Sequence, residues 1–237
     1  MSKSNTIRDS FIKSVPVMAG YIVLGIGYGI LMNKAGYGLL WTAALSLFVY
    51  AGSMQYVAVD LLSAQASVLN TIITTIAVNG RHLFYSISMI NEYKETPKKM
   101  KWYMIFGLTD ETYSLLCAGN KIPDGDDPDQ YRLFVTLFDH SYWVLGSILG
   151  AVLGSVIPFS TEGIDFSMTA LFLATFVSQW ISTDNHISAL TGLFCSIACL
   201  VIFGPSNFLI PSMICMTVIL TVFRKNCDPA VTGKEDV

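Results

Sequence analysis

The chain has 237 residues, of which 53% are hydrophobic and 13% charged, and its mean hydropathy is +0.55. About a quarter of the residues of a soluble domain are charged, so this composition excludes an ordinary soluble fold and favours a membrane protein. The net charge of −3, without a basic patch, does not indicate nucleic acid as a partner.

Charged and turn residues divide the chain into apolar blocks, most of them near the ~17–25 residues that a membrane-crossing helix needs. In chain order the blocks cover residues 14–33, 39–60, 67–90, 102–119, 132–157, 167–183, 187–203 and 207–223. The polar stretch 120–130 is too short to fold alone. The sequence therefore predicts an all-α, polytopic transmembrane helical bundle of six to eight spans, with residues 1–237 as a single membrane domain.

The charged loops constrain the topology, because lysine and arginine in short loops usually lie on the cytoplasmic side. Basic residues occur in the tail before residue 14, in loop 91–101 and at Arg224 and Lys225, whereas loop 123–129 is acidic and is expected outside. If every block crosses once, three crossings separate the N-terminal tail from loop 91–101. Simple hydropathy and the charge rule therefore disagree.

An internal repeat offers a solution. An offset of 124 residues aligns Gln55 with Gln179, Asp60 with Asp184, and Gly80 with Gly204. These polar and glycine matches predict two three-segment repeats, 14–90 and 132–214. The block 102–119 would then be a linker helix between them.

The same offset aligns Asn79-Gly80-Arg81-His82 with Phe203-Gly204-Pro205-Ser206. Glycine and proline both weaken helices, so we predict broken helices near Gly80 and Gly204 and third segments that do not cross fully. Each half then crosses twice, both termini lie in the cytoplasm, and the two repeats are inverted, as in several secondary transporters. The alternative is eight ordinary spans with an exception to the charge rule.

Ionisable side chains within apolar blocks are costly and by default indicate function. Arg81 is a candidate for binding a substrate carboxylate, and the neighbouring His82 for relaying a proton. Asp110 and Glu111, in block 102–119, are candidates for proton coupling or for binding a substrate ammonium. The alternative for these residues is structural, with Arg81 or His82 paired to an acidic residue of another helix.

Amide and small residues supply further candidates. Gln55 and Gln179 are predicted either to hydrogen-bond the substrate or to hold helices together, whereas the pair Asp139 and His140 is more typical of a structural role. The glycines of residues 25–29 and 146–154 predict close helix packing. No motif of a hydrolase, a nucleotide site or a metal site is present, so neither an enzyme nor a cofactor is predicted.

Four motifs occur in order along the chain: FVYAGSMQ at 48–55, VNGRHLFYS at 78–86, LTDE at 108–111 and GIDF at 163–166. Together they resemble the azaleucine-resistance (AzlC-type) family of branched-chain amino acid permeases, over about residues 10–220. Gly80 differs from the family pattern, in which a larger apolar residue is usual. The resemblance implies a bacterial inner-membrane exporter of branched-chain amino acids, with a small hydrophobic partner subunit of the AzlD type.

The sequence thus predicts a secondary transporter that exports leucine-like or valine-like amino acids by proton-coupled alternating access. The predicted substrate-binding residues are Gln55, Asn79, Arg81, His82, Asp110, Glu111 and Gln179. His82, Asp110 and Glu111 are also the candidates for proton coupling. The alternatives are a non-transporting membrane subunit of a larger complex and a small-solute channel. Besides the substrate and the lipid bilayer, a second copy of the chain is a further candidate partner.

Overall fold

The computed structural model describes residues 3–117, 122–123, 125–156, 185–204 and 208–223, with short pieces between 163 and 181. The chain divides into two compact units, Met1–Met168 and Thr169–Val237. All regular structure in these described ranges is helical. The predicted all-α class is therefore confirmed, whereas the number of spans and the duplication stay predictions.

The helices of the first unit include two that are long and apolar enough to cross a membrane, Asn5–Lys34 and Pro128–Val156. The described helices of this unit are α1 (Lys3–Lys34), α2 (Gly38–Phe48), α3 (Gly52–Ser63), α4 (Val68–Ser88), α5 (Lys98–Phe106), α6 (Asp110–Leu116) and α7 (Pro128–Val156). Those of the second unit are α8 (Ile187–Phe203) and α9 (Leu209–Val222).

Helices α1 and α7 lie side by side and run in the same direction. Near their beginnings, Ser10 Oγ lies 3.2 Å from the carbonyl oxygen of Tyr131. Further along, glycines form the contact, and a Cβ on Gly29 would lie 2.2 Å from the carbonyl oxygen of Ser147. Small residues allow two helix backbones to approach this closely, so the predicted close packing is confirmed.

Helices α2 and α3 form a hairpin that enters and leaves the unit at the same end. Tyr37, just before α2, donates its hydroxyl to the carbonyl of Leu62 in the last turn of α3. The helices have 11 and 12 residues. At 1.5 Å per residue each is about 17 Å long, or half of a ~30 Å hydrocarbon core. The chain turns at residues 49–51, where Tyr50 has a φ of 43°.

Helices α5 and α6 form a second hairpin at the other end of the unit. Thr96, before α5, donates its hydroxyl to Asp129 in the first turn of α7, so the hairpin begins where α7 begins. The two helices have 9 and 7 residues, and residues 107–109 separate them. Thr109 caps α6 by accepting a hydrogen bond from the Thr112 backbone. The predicted single linker helix over 102–119 is therefore wrong.

Helix α4 is continuous through Gly80, so the predicted break near that residue is wrong. The helix has 21 residues, about 32 Å at 1.5 Å per residue, which is enough to cross the membrane. A single glycine inside a helix costs only about 1 kcal/mol relative to alanine. The interrupted segment is instead the second block, where α2 gives way to α3 at residues 49–51.

The parallel course of α1 and α7 also shows that the predicted inversion is wrong. These helices begin the two predicted repeats, and an inverted relation would make them antiparallel. The physical reason is that both hairpins return to the end from which they enter. Of the helices between α1 and α7, only α4 then runs from one end of the unit to the other, and α7 resumes the direction of α1.

The beginning of α1, loop 91–101 and the acidic loop meet at one end of the first unit. Thr6 donates its hydroxyl to Asp126 at 2.8 Å, and Arg132 forms an ion pair with Glu92. The acidic loop therefore lies at the same end as the N-terminal tail and loop 91–101, and its predicted position on the opposite side is wrong. The loop lies at this end because it directly precedes α7, which begins here, and Asp127 caps that helix. The N–H groups of Gln130 and Asp129 bind the Asp127 carboxylate and hold its pKa below the usual value.

In the second unit, α8 ends at Phe203, and Gly204 follows with a φ of 74°, in the left-handed region that favours glycine. The next described helix, α9, begins at Leu209. This agrees with the predicted interruption near Gly204, whereas Pro205 and Ser206 lie outside the described residues. Cys195 and Cys199 are buried on one face of α8 as free thiols.

Candidate functional site

The turns of the two hairpins meet near the middle of α1 and α7. The ring centroids of Tyr50 and Phe106 are 6.1 Å apart, and the Tyr50 ring lies 4.2 Å from the ring of His140. On the second hairpin, Thr109 Oγ1 lies 2.6 Å from Tyr21 Oη of α1. At membrane depth, non-helical backbone is tolerated only where it is buried in protein or lines a water-filled cavity. This meeting point is the candidate site.

Arg81 of α4 reaches the candidate site and binds groups from both hairpins. Its Nε donates to Asp110 Oδ1 at 2.8 Å, and its Nη2 donates to Ser53 Oγ at 2.7 Å. Asp110 is the first residue of α6, and Ser53 lies in the first turn of α3. One guanidinium thus connects α4 with the beginnings of two short helices, α3 and α6. The structure thus contains the ion pair that the structural alternative for Arg81 describes.

The ion pair is accessible from outside the unit. The side chains of Arg81 and Asp110 are 31% and 30% exposed, and that of His82 is 27% exposed. His82 Nε2 lies 3.9 Å from Asp110 Oδ1, close enough for an electrostatic interaction but too far for a hydrogen bond. Charged side chains facing lipid are costly, so we expect this opening to face water or a partner.

Gln55 does not face the ion pair, because its amide closes the turn between α2 and α3. The Oε1 atom accepts hydrogen bonds from Trp143 Nε1 at 2.9 Å and from the Ala51 backbone at 3.2 Å. The Nε2 atom donates to Ser46 Oγ at 3.2 Å. The structure thus favours the second of the two predicted roles, that of holding helices together.

Asn79 and Gln179 complete the predicted amide candidates. Asn79 Oδ1 is buried and has no hydrogen-bond partner among the described residues. Asn79 and Arg81 are two residues apart on a continuous helix and therefore do not face the same side. Gln179 lies outside the described residues.

A second polar cluster, which sequence reasoning missed, begins at Glu111. Glu111 Oε2 lies 2.7 Å from Tyr21 Oη, which contacts Thr109, and Thr109 Oγ1 lies 3.1 Å from Thr112 Oγ1. Thr112 Oγ1 then donates to Asp139 Oδ2 at 2.8 Å. Asp139 is fully buried, and its Oδ1 has no hydrogen-bond partner in the part of the chain that the structure describes. In the sequence, the feature that could have indicated this cluster is the pair Thr109 and Thr112, which flank Asp110 and Glu111.

His140 has the structural role predicted for it. Its Nε2 lies 3.2 Å from the Ser46 carbonyl and its Nδ1 lies 2.8 Å from Tyr103 Oη. A carbonyl only accepts hydrogen bonds, so Nε2 carries the proton and Nδ1 accepts from Tyr103 in the neutral ring. The imidazole thereby connects α7 with α2 and α5.

The structure therefore brings together three of the predicted site residues, Arg81, His82 and Asp110. Gln55 belongs to the hairpin turn, and Glu111 to the neighbouring hydroxyl cluster. Within the described residues, no group of three His, Cys, Asp or Glu side chains is arranged to hold a metal ion.

Comparison with known proteins gives a consistent family match. The family model described as AzlC protein matches residues 16–157. The branched-chain amino acid transport protein AzlC of Bacillus subtilis is 43% identical over 223 residues, which cover 94% of this chain and 87% of that protein. No solved structure matches the chain.

Two further relatives are described as membrane proteins. An uncharacterized membrane protein of Haemophilus influenzae is 41% identical, over 91% of this chain and 88% of its own length. The inner membrane protein YgaZ of Escherichia coli is 25% identical, over 75% of this chain and 74% of its own length. The resemblance that the four motifs indicated is confirmed: the chain belongs to the AzlC family.

Proposed function

We propose that this chain is a multi-pass protein of the cytoplasmic membrane that exports branched-chain or related hydrophobic amino acids as a secondary carrier. The name of the Bacillus subtilis relative supports the substrate class. The two helical hairpins, each made of two short helices separated by a turn, support the mechanism. Discontinuous helices near the membrane midplane form the binding sites of many secondary transporters.

The ion pair between Arg81 and Asp110 is the observation that carries the proposal. An amino acid is a zwitterion, with a carboxylate that matches a guanidinium and an ammonium that matches a carboxylate. Substrate entry would exchange the internal pair for two external ones, the substrate carboxylate with Arg81 and its ammonium with Asp110. Because Arg81 also binds Ser53, the exchange would loosen one hairpin from the other.

The direction of transport, the coupling ion and the partner belong to the same proposal. His82 lies close enough to Asp110 to respond electrostatically when the carboxylate changes partner. Proton-coupled alternating access would then use His82, Asp110 and Glu111. A small hydrophobic subunit of the AzlD type is the proposed partner, and both termini are proposed to be cytoplasmic.

Counterflow of radiolabelled leucine into proteoliposomes tests the proposal, with the chain alone and with the small partner subunit. We expect overshoot in the wild type and its loss in Arg81→Ala and Asp110→Asn. Arg132→Ala is the matched control, because it removes the other described arginine–carboxylate ion pair, at the end of the unit. The control should lower stability but retain counterflow per folded molecule.

The alternatives predict different results. A channel would equilibrate leucine without overshoot, because only a carrier exchanges one molecule for another. A non-transporting subunit would show no leucine movement alone or with the small partner. Full activity of Arg81→Ala would contradict the proposed site while leaving the carrier assignment in place.

A further inference from the structure

The chain of hydroxyl groups between Glu111 and Asp139 contains one proton fewer than its contacts require. Four oxygen–oxygen contacts of 2.6–3.1 Å join Glu111, Tyr21, Thr109, Thr112 and Asp139 in series. Each contact needs one hydrogen between its two oxygens. The three hydroxyls supply one hydrogen each. The fourth must therefore come from one of the two carboxyl groups.

All four hydrogen bonds can form whether that proton is on Glu111 or on Asp139. If Glu111 carries it, every group donates towards Asp139, and the last bond runs from Thr112 Oγ1 to Asp139 Oδ2. If Asp139 carries it, every bond reverses, and Tyr21 donates to Glu111. The two states have the same atoms and the same net charge. They differ only in which carboxyl group, that of Glu111 or that of Asp139, is neutral.

The two ends differ in their access to solvent. Glu111 is partly exposed, whereas Thr112 and Asp139 are fully buried. None of the ion pairs in the described residues involves Asp139. A buried carboxylate without a cationic partner is strongly disfavoured. Asp139 is thus the buried end of a path that begins at Glu111, a residue that is only partly buried.

Other titratable groups also face Asp139. They are Glu111 from α6, Tyr21 from α1, Tyr50 from the turn between α2 and α3, and Tyr142 from α7 itself. The three tyrosines are phenols, which stay neutral near neutral pH. The proton shared along the chain is therefore exchanged between Glu111 and Asp139.

We infer that Asp139 is a proton-binding site that is loaded from Glu111 through the hydroxyls of Tyr21, Thr109 and Thr112. In loading, the Glu111 O–H bond breaks and its proton passes to Tyr21. Each hydroxyl then gains one proton and gives up another, and an O–H bond forms at Asp139. The inference rests on the proposed function, because it supplies the proton step of that carrier and places it in a buried group beside the substrate site.

The decisive variant is Thr112→Val, which keeps the shape of the side chain and both carboxyls but removes one hydroxyl from the path. The Thr112 backbone N–H that binds Thr109 is retained. Thr136→Val is the matched control, because the Thr136 hydroxyl is equally buried and donates only to the Arg132 carbonyl of its own helix. Asp139→Asn removes the acceptor itself.

Two transport assays in proteoliposomes separate the proton step from substrate binding. Leucine counterflow does not require net proton movement, whereas accumulation driven by an imposed pH gradient does. We expect Thr112→Val and Asp139→Asn to retain counterflow. The gradient-driven rate should fall by about tenfold or more, the factor that corresponds to one hydrogen bond lost at the barrier. Thr136→Val should resemble the wild type in both assays.

Infrared spectroscopy of the purified protein provides a test that is independent of transport. The wild type should show the carbonyl band of a buried carboxylic acid near neutral pH, with a shift in D₂O. Asp139→Asn and Thr112→Val should remove or displace this band, and Thr136→Val should leave it unchanged.

The outcomes distinguish the two hypotheses. Wild-type counterflow with an undiminished gradient response in Thr112→Val overturns the proton path and leaves the carrier intact. Absence of counterflow in the wild type contradicts the proposed function, and the infrared band then decides the inference alone. A spectrum without the band, or with the same band in Asp139→Asn, overturns it. If Asp139→Asn does not fold, the transport and infrared results of Thr112→Val alone decide the inference.

Discussion

At the scale of single residues, the polar groups around the site fall into two classes. Both ends of the Gln55 amide are occupied by Trp143, Ala51 and Ser46. Asn79 Oδ1 and Asp139 Oδ1 are buried without a partner in the described ranges. Groups of the first class hold the fold together. Buried groups of the second class add nothing to stability through that atom, because an unsatisfied polar atom costs about 1–3 kcal/mol.

This difference predicts opposite effects for two amide substitutions. Gln55→Met leaves the indole N–H of Trp143 and the backbone N–H of Ala51 without an acceptor, and should lower the free energy of unfolding by about 2–3 kcal/mol. Asn79→Leu removes an amide whose oxygen has no described partner, and should leave stability unchanged or raise it. Denaturant unfolding in detergent micelles measures both. Equal destabilisation by the two variants would contradict the assignment of Gln55 to a structural role.

The sequence identified the ion-pair residues because charged groups in apolar blocks are conspicuous. Arg81, His82 and Asp110 were all found in this way. Tyr21, Thr112 and Asp139 were not assigned to a site, because a tyrosine or threonine in an apolar block is ordinary and Asp139 lies near a block boundary. Their significance comes from tertiary contacts between residues up to 90 positions apart.

At the scale of elements, the sequence predicted an interrupted segment but placed it wrongly. Gly80 suggested a break by its backbone freedom, yet α4 continues through it. The real turn at Tyr50 contains neither glycine nor proline and is held by Gln55, which binds the Ala51 backbone locally and Trp143 of α7. Local composition could not reveal it. The motif over residues 48–55 contains this turn, but it entered the prediction only as evidence for the family resemblance.

Alanine substitutions test the close contact that glycines form between α1 and α7. A Cβ on Gly29 would lie 2.2 Å from the Ser147 carbonyl oxygen, and one on Gly150 would lie 2.1 Å from the Ile26 carbonyl oxygen. Gly29→Ala and Gly150→Ala should therefore each destabilise the protein by about 1–3 kcal/mol or more. Gly20→Ala on α1 is the matched control, because nothing lies within 4 Å of its Cβ position.

Thermal unfolding of the three glycine variants in the same detergent provides the comparison. Gly20→Ala should be neutral or slightly stabilising, since alanine is the better helix former. Equal melting temperatures for Gly20→Ala and Gly29→Ala would contradict the close approach of the two helices.

At the scale of the whole molecule, the ends of the first unit determine the topology. Loop 91–101 and the acidic loop lie at one end, whereas the connections from α1 to α2 and from α3 to α4 lie at the other. The sequence predicted that the N-terminal tail and loop 91–101 share a side. It placed the acidic loop on the opposite side, because it did not reveal the α5–α6 hairpin that returns the chain to the end where α7 begins.

Cysteine labelling in intact cells tests this topology in a background without the 5 native cysteines. Lys99→Cys and Pro123→Cys should both be protected from a membrane-impermeant thiol reagent, because the lysine-rich end is expected in the cytoplasm. Lys34→Cys and Ala64→Cys should both react, since the α2–α3 hairpin begins and ends on the other side. Protection of only one member of either pair would contradict the hairpin that lies between them.

The hairpins differ from α1 and α7 in how they are anchored. The two long helices extend through the unit and are locked by backbone contact. The chain enters and leaves each hairpin at one end of the unit, and the two hairpins do so at opposite ends. In the proposed alternating-access cycle, each hairpin would tilt about its own hinge as a gate for one side of the membrane. If one gate opened while Arg81 stayed with the other, the site would be exposed to one side without any movement of the frame.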